Sequence, residues 1–145
     1  MKVSLLIAFM AIILNLQAQE VSRFSNEIII HTIESQDSAL IKSSSILVGR
    51  GYTMKTISDR TYSITTSPKE MQAGVNLQVR VTINKHDSTE ICITGVMLYF
   101  NGSNSVIKSV DNRGSDTHYR DAWNELYSIA QQFPSSRVSV ANLKN

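Results

Sequence analysis

With Cys92 as the only cysteine, this chain can form no disulfide within itself. Whatever fold it adopts must be held by an apolar core. Two prolines and six glycines speak against a long disordered stretch. Neither sign of charge dominates: 14 Lys and Arg stand against 12 Asp and Glu, a formal net charge of +2. Nucleic-acid binding draws on a concentrated basic surface and the counterions it displaces, so this balance speaks against that class. Beyond residue 20 no apolar run approaches the roughly 20 residues that a membrane-spanning helix needs. No internal repeat is visible.

What is present begins with an export signal. Lys2 supplies a positive start, and Leu5 to Leu14 (LLIAFMAIIL) is unbroken apolar sequence. Ala18 then offers the small residue that precedes a cleavage site. Residues 1–18 therefore read as a cleaved signal peptide, with localisation in the periplasm or outside the cell. No Cys stands near the junction, which speaks against a lipid anchor. The leader holds Lys2 and no acid, so its loss leaves 13 basic against 12 acidic residues. The expected division is a single α+β domain over 19–134 and a short, fraying tail over 135–145.

Along that domain the hydrophobic period changes several times. Phe24 to Ile33 is β-branched and reads as a strand. Ser35 or Asp37 can cap a helix running to about Val48, with Leu40, Ile41, Ser44, Leu47 and Val48 at helical spacing and Gly49-Arg50-Gly51 as its stop. Tyr52 to Ile57 and Thr61 to Ser67 are extended, either as one bent strand or as a hairpin. Pro68 halts them, and Lys69 to Gly74 reads as a connector. Val75 to Ile83 alternates strictly, which describes a strand with one buried and one wet face. Thr89 to Leu98 returns as its antiparallel partner, with Gly95 marking a bulge or a close approach. Ser105 to Val110 is a further short strand. Last comes an amphipathic helix, capped by Ser115 or Asp116, with Tyr119, Ala122, Trp123, Leu126, Ile129, Ala130 and Phe133 on one stripe.

The order β-α-β-β-β-(β)-α implies a mainly antiparallel sheet of four to five strands, with both helices on one face. The other face is polar, carrying Ser63, Thr65, Gln78, Arg80 and Thr82. Arg80 and Thr65 are the candidate centre of a partner surface, with Tyr99 and Phe100 at its rim. For this aromatic pair core packing under the last helix is the first reading, and the partner contact applies if the rings are exposed.

Catalytic chemistry finds little to use. His31, His86 and His118 are scattered, and His118 with Asp121 makes only an i,i+3 pair, short of a zinc set. There is no Gly-x-Ser-x-Gly elbow and no phosphate loop. Glu27, Glu34, Glu70, Glu90 and Glu125 lie on different elements, and Glu125 reads as solvated. Cys92 reads as a packed thiol, and Asn101-Gly102-Ser103 matches the glycosylation acceptor pattern but suffices as a turn. No catalytic residue, metal ligand or cofactor is assigned.

From Gly51-Tyr52 through Ile64-Thr65-Thr66-Ser67-Pro68-Lys69, then the Asn76 to Asn84 strand and the Trp123-Asn124-Glu125-Leu126 helix, the chain resembles small exported proteins and lipoproteins of Gram-negative bacteria. The resemblance implies an α+β, TATA-binding-protein-like arrangement and supplies no catalytic residue. The expected function is an exported, non-enzymatic binding or assembly module that meets an envelope or secreted protein. A small envelope-directed hydrolase, or an inhibitor or immunity-type protein, is the alternative.

Overall fold

The computed structural model describes residues 26–72, 74–101, 103–112, 117–134 and 137–141. The signal peptide and the Ser115 or Asp116 cap lie outside them. The elements run β1 (Glu27–Thr32), α1 (Gln36–Gly49), β2 (Met54–Ser58), β3 (Ser63–Thr66), β4 (Lys69–Gln72), β5 (Val75–Lys85), β6 (Thr89–Asn101), β7 (Asn104–Ser109), α2 (Thr117–Ala130) and β8 (Arg137–Ala141). The class is α+β, with an antiparallel sheet and both helices packed against it.

Among the described residues the sheet has eight strands where four to five were expected. Its main path is β2-β3-β5-β6-β1-β8, with β4 added to β5 and β7 to β6. Three segments account for the difference. Met54–Ser58 and Ser63–Thr66 form a hairpin rather than one bent strand, turning where Tyr62 takes a positive φ of 45°. The Lys69–Gly74 connector is instead strand β4, folded back on β5 through Gly74 at φ +77°. Within the tail, Arg137–Ala141 pairs with β1, and Val138 and Val140 pack against the core. A five-residue strand with two valines carries too weak a period to be seen, and only pairing reveals it.

Two long strands form the spine. β5 and β6 pair without a break from Val75↔Tyr99 to Lys85↔Thr89. Each long strand changes its outer neighbour partway along. On β5 the partner changes from β3 to β4, and on β6 from β1 to β7. At the first change Pro68 separates the partners, and the Thr66 hydroxyl accepts from Val79 N at 3.0 Å in place of a ladder bond. At the second, Val110 N donates to Gly95 O at 2.9 Å.

Alternation sends Ile28, Ile30, Ile64, Leu77, Val79, Val81, Ile91, Ile93 and Met97 to one face, each fully buried. The helices cover this face. All seven stripe residues expected from the sequence are buried, six on α2 from Tyr119 to Ala130 and Phe133 just past its end. On α1 the buried row is Ala39, Leu40, Ser43 and Leu47. Ile41 and Val48, expected in that row, are exposed. Ser35 is the cap, its hydroxyl accepting from Ser38 N. The helix ends as a Schellman turn: Tyr52 N donates to Leu47 O, Gly51 N donates to Val48 O, and Gly51 holds φ +81°. Gly95 is a close approach and not a bulge. The register passes through it unbroken, and a Cβ there would stand 2.9 Å from Leu126 Cδ1.

Candidate functional site

Register places side chains of one face in rows across the strands. On the face away from the helices, one row contains Thr65, Arg80 and Thr94, and the next contains Gln78, Val96 and Ser109. This is where both spine strands change neighbours. The exchange leaves a concave basin of about 190 Å³, lined by these residues with Asn26 and Gly95. Arg80 is exposed within it. Among the described residues, no carboxylate reaches its guanidinium within ion-pair distance. Gln78 is committed, its amide donating to Thr66 O at 2.8 Å.

The following row holds Asn76, Leu98 and Ile107, and beyond it Phe100 faces Ser105. Together with Pro68 these form an apolar shelf, a depression of about 420 Å³. Phe100 is 69% exposed and Ile107 68%. The structure divides the aromatic pair. Phe100 lies on the shelf, whereas Tyr99 touches its margin and packs half-buried against the core. Lys108 is pushed up in pKa by its hydrogen bond to Tyr99 and by Tyr119.

Toward β1 and β8 the same face turns acidic. Glu90 lies between His31 (3.5 Å) and His86 (4.0 Å). Burial raises the pKa of Glu27, its hydrogen bond with Cys92 opposes this, and Glu90 adds repulsion; the net shift is upward. Cys92 is buried, and burial, with Glu27 beside it, pushes its thiol up to about 12. At neutral pH it is a thiol and not a nucleophilic thiolate.

A second charged cluster lies on the helix side, and the sequence reading missed it. Glu125 is not solvated: its side chain is 11% exposed and accepts both edges of the Arg50 guanidinium, with Nε to Oε1 at 3.1 Å. The Tyr52 hydroxyl donates to it at 3.3 Å, and Lys69 stands 3.9 Å away while donating to Arg50 O and lying over the Tyr52 ring. Burial alone would raise the Glu125 pKa, but Arg50, Lys69 and Tyr52 outweigh it and hold it below its ordinary value. A wide groove of about 800 Å³ runs beside this cluster. Its Arg50 and Lys42 are already paired, with Glu125 and Glu34. The Schellman turn is what delivers Arg50 and Tyr52 here, and Glu125 borders the α2 stripe between Ala122 and Leu126. That adjacency was the available signal.

His118 and Asp121 share the side chain of Gln72, at 2.8 and 3.5 Å. Among the described residues no three His, Cys, Asp or Glu gather to hold a metal ion, and no helix is long and apolar enough to cross a membrane. Compared with known proteins, the chain matches no family model, and no curated protein matches it.

Proposed function

We propose that this chain is an exported, non-enzymatic binding or assembly module whose contact surface is the open face of its sheet. One observation carries the reading: both helices pack on one face, and the opposite face presents the Arg80 basin beside the exposed Phe100–Ile107 shelf. An apolar shelf open to water, rimmed by polar groups, is a surface that association would bury favourably. Arg80 and Thr65, chosen on alternation alone, line one basin, which supports the same reading. The leader-like N-terminus supports export. The resemblance to small exported proteins of Gram-negative bacteria, with their TATA-binding-protein-like arrangement, is part of the proposal. The hydrolase alternative has less to draw on, because Cys92 is held as a thiol and Glu125 is tied to Arg50.

The test is affinity capture by the purified protein from the envelope and medium of its own host, quantified against Arg80→Ala and Phe100→Ala variants. A stoichiometric protein retained by the parent and lost by both variants is the expected result. Retention that is indifferent to both variants, or no specific retention, would overturn the open-face reading.

A further inference from the structure

We infer that the partner docks a protein segment carrying a carboxylate and a bulky apolar side chain about four strand residues apart. This rests on the binding reading above and gives its partner a chemistry. The first argument is charge. Arg80 sits in a basin with hydroxyl and amide neighbours, and no carboxylate among the described residues pairs with it. Glu27, the nearest acid in strand order across β6, engages Cys92 instead. A partner that covers this basin must supply an anion or leave a desolvated guanidinium unpaired, which disfavours binding. A carboxylate meets the guanidinium through two parallel hydrogen bonds.

The second argument is spacing. Within the basin Arg80 lies in the Thr94 row, and the shelf begins at the Leu98–Ile107 row. Thr94 and Leu98 are four residues apart on one strand, about 13 Å at the ordinary strand rise. A segment lying along β6 would therefore set its acid in the basin and its apolar group against Leu98, Phe100 and Ile107.

The third argument concerns the kind of partner. Both depressions lie on an open sheet face, whereas small-molecule sites enclose most of their ligand. A broad face offers area to a macromolecule. An anionic lipid surface is attracted by clusters of cations. Here, among the described residues, Arg80 is the only cation lining the basin, and Glu27 and Glu90 share its face. A protein segment fits both facts.

The experiment is selection of a phage-displayed library of random twelve-residue peptides on the immobilised purified protein. Enriched sequences are expected to carry Asp or Glu three to five residues from an aromatic or large aliphatic residue. A synthetic peptide of the leading sequence should bind Arg80→Gln at least 10-fold more weakly than the parent. Ile107→Ser should weaken it about 5-fold, with thermal melting of both variants unchanged. No enrichment, enrichment of basic or uncharged sequences, or equal binding by Arg80→Gln would overturn the inference. So would binding of phosphatidylglycerol vesicles that displaces the peptide and depends on Arg80. If host capture still yields an Arg80-dependent protein while no acidic peptide enriches, the binding module stands and this inference falls.

Discussion

Arg50 and Glu125, 75 residues apart in sequence, pair through both edges of the guanidinium and so tie the end of α1 to the middle of α2. Tyr52 completes the cluster from the segment that follows α1, and Lys69 from the first position of β4. A pair this shielded matters most when half of it is lost. Glu125→Gln keeps the shape but leaves Arg50 without its counter-charge in a largely buried setting. The expected cost is about 2–4 kcal/mol, read from urea unfolding at pH 7. A variant as stable as the parent would show the pair to be energetically idle.

The same pair fixes a pH dependence. Glu125 is held below its ordinary value of 4.5 in the folded protein, so its stabilisation is complete above that value. It is lost as pH falls below 4.5 and through the folded-state pKa. The gap between parent and Glu125→Gln should therefore be widest near neutrality and shrink in acid. Glu27 has the opposite sign. Its raised pKa means that ionisation works against the fold, so Glu27→Gln should stabilise at pH 7 and lose that advantage in acid. Unfolding midpoints at pH 7 and pH 3.5 distinguish the two, and parallel shifts would refute the assignment.

Gly95 tests the close fit between sheet and helix. A methyl group there would meet Leu126 Cδ1 at 2.9 Å and Leu77 Cδ1 at 3.1 Å, both in fully buried side chains. Gly95→Ala should cost about 1–3 kcal/mol through overpacking. In a Leu126→Ala background the space is available, and the cost should largely disappear. Additivity in that double-mutant cycle would place the strain elsewhere.

These contacts also show what the sequence could reveal. The α2 stripe and the β5 alternation were legible in full, because long amphipathic elements write their burial into a period. Thr65 and Arg80 followed from the same alternation. Ile107 did not, since Asn104–Ser109 carries no clear period, and only its pairing with β6 sets it beside Leu98. Tyr99 and Phe100 were read as a unit, although adjacent strand residues must face opposite ways. Short strands β4 and β8 were lost for lack of length. Glu125 was misread because a polar residue on the margin of an apolar stripe is solvated or buried according to what packs beside it. That neighbour was Arg50, placed by a turn 75 residues away.

Trp123 and Arg80 should separate stability from binding. Trp123 lies in the core beneath the sheet and is 9% exposed, so Trp123→Ala should cost about 3–5 kcal/mol. Arg80 is exposed on the opposite face, and Arg80→Ala should change unfolding by less than about 0.5 kcal/mol. Thermal and urea unfolding of the two variants give the comparison. A large loss from Arg80→Ala would mean that the basin supports the fold, and the open face would no longer be free for a partner.

Cys92 gives the last test, because its position determines its reactivity. The thiol is 7% exposed and pushed up to about 12 by burial, with Glu27 beside it. Alkylation requires both access and the thiolate, and the native protein limits each at pH 8. Labelling by iodoacetamide should therefore be slow in buffer and rise at least 100-fold in urea that unfolds the chain. Glu27→Gln removes the neighbouring charge but leaves the burial, so native labelling should quicken only slightly. If native Cys92 reacts as fast as the unfolded chain, the strands around it open readily. The sheet face that includes Cys92 would then be too mobile to serve as a preformed docking surface.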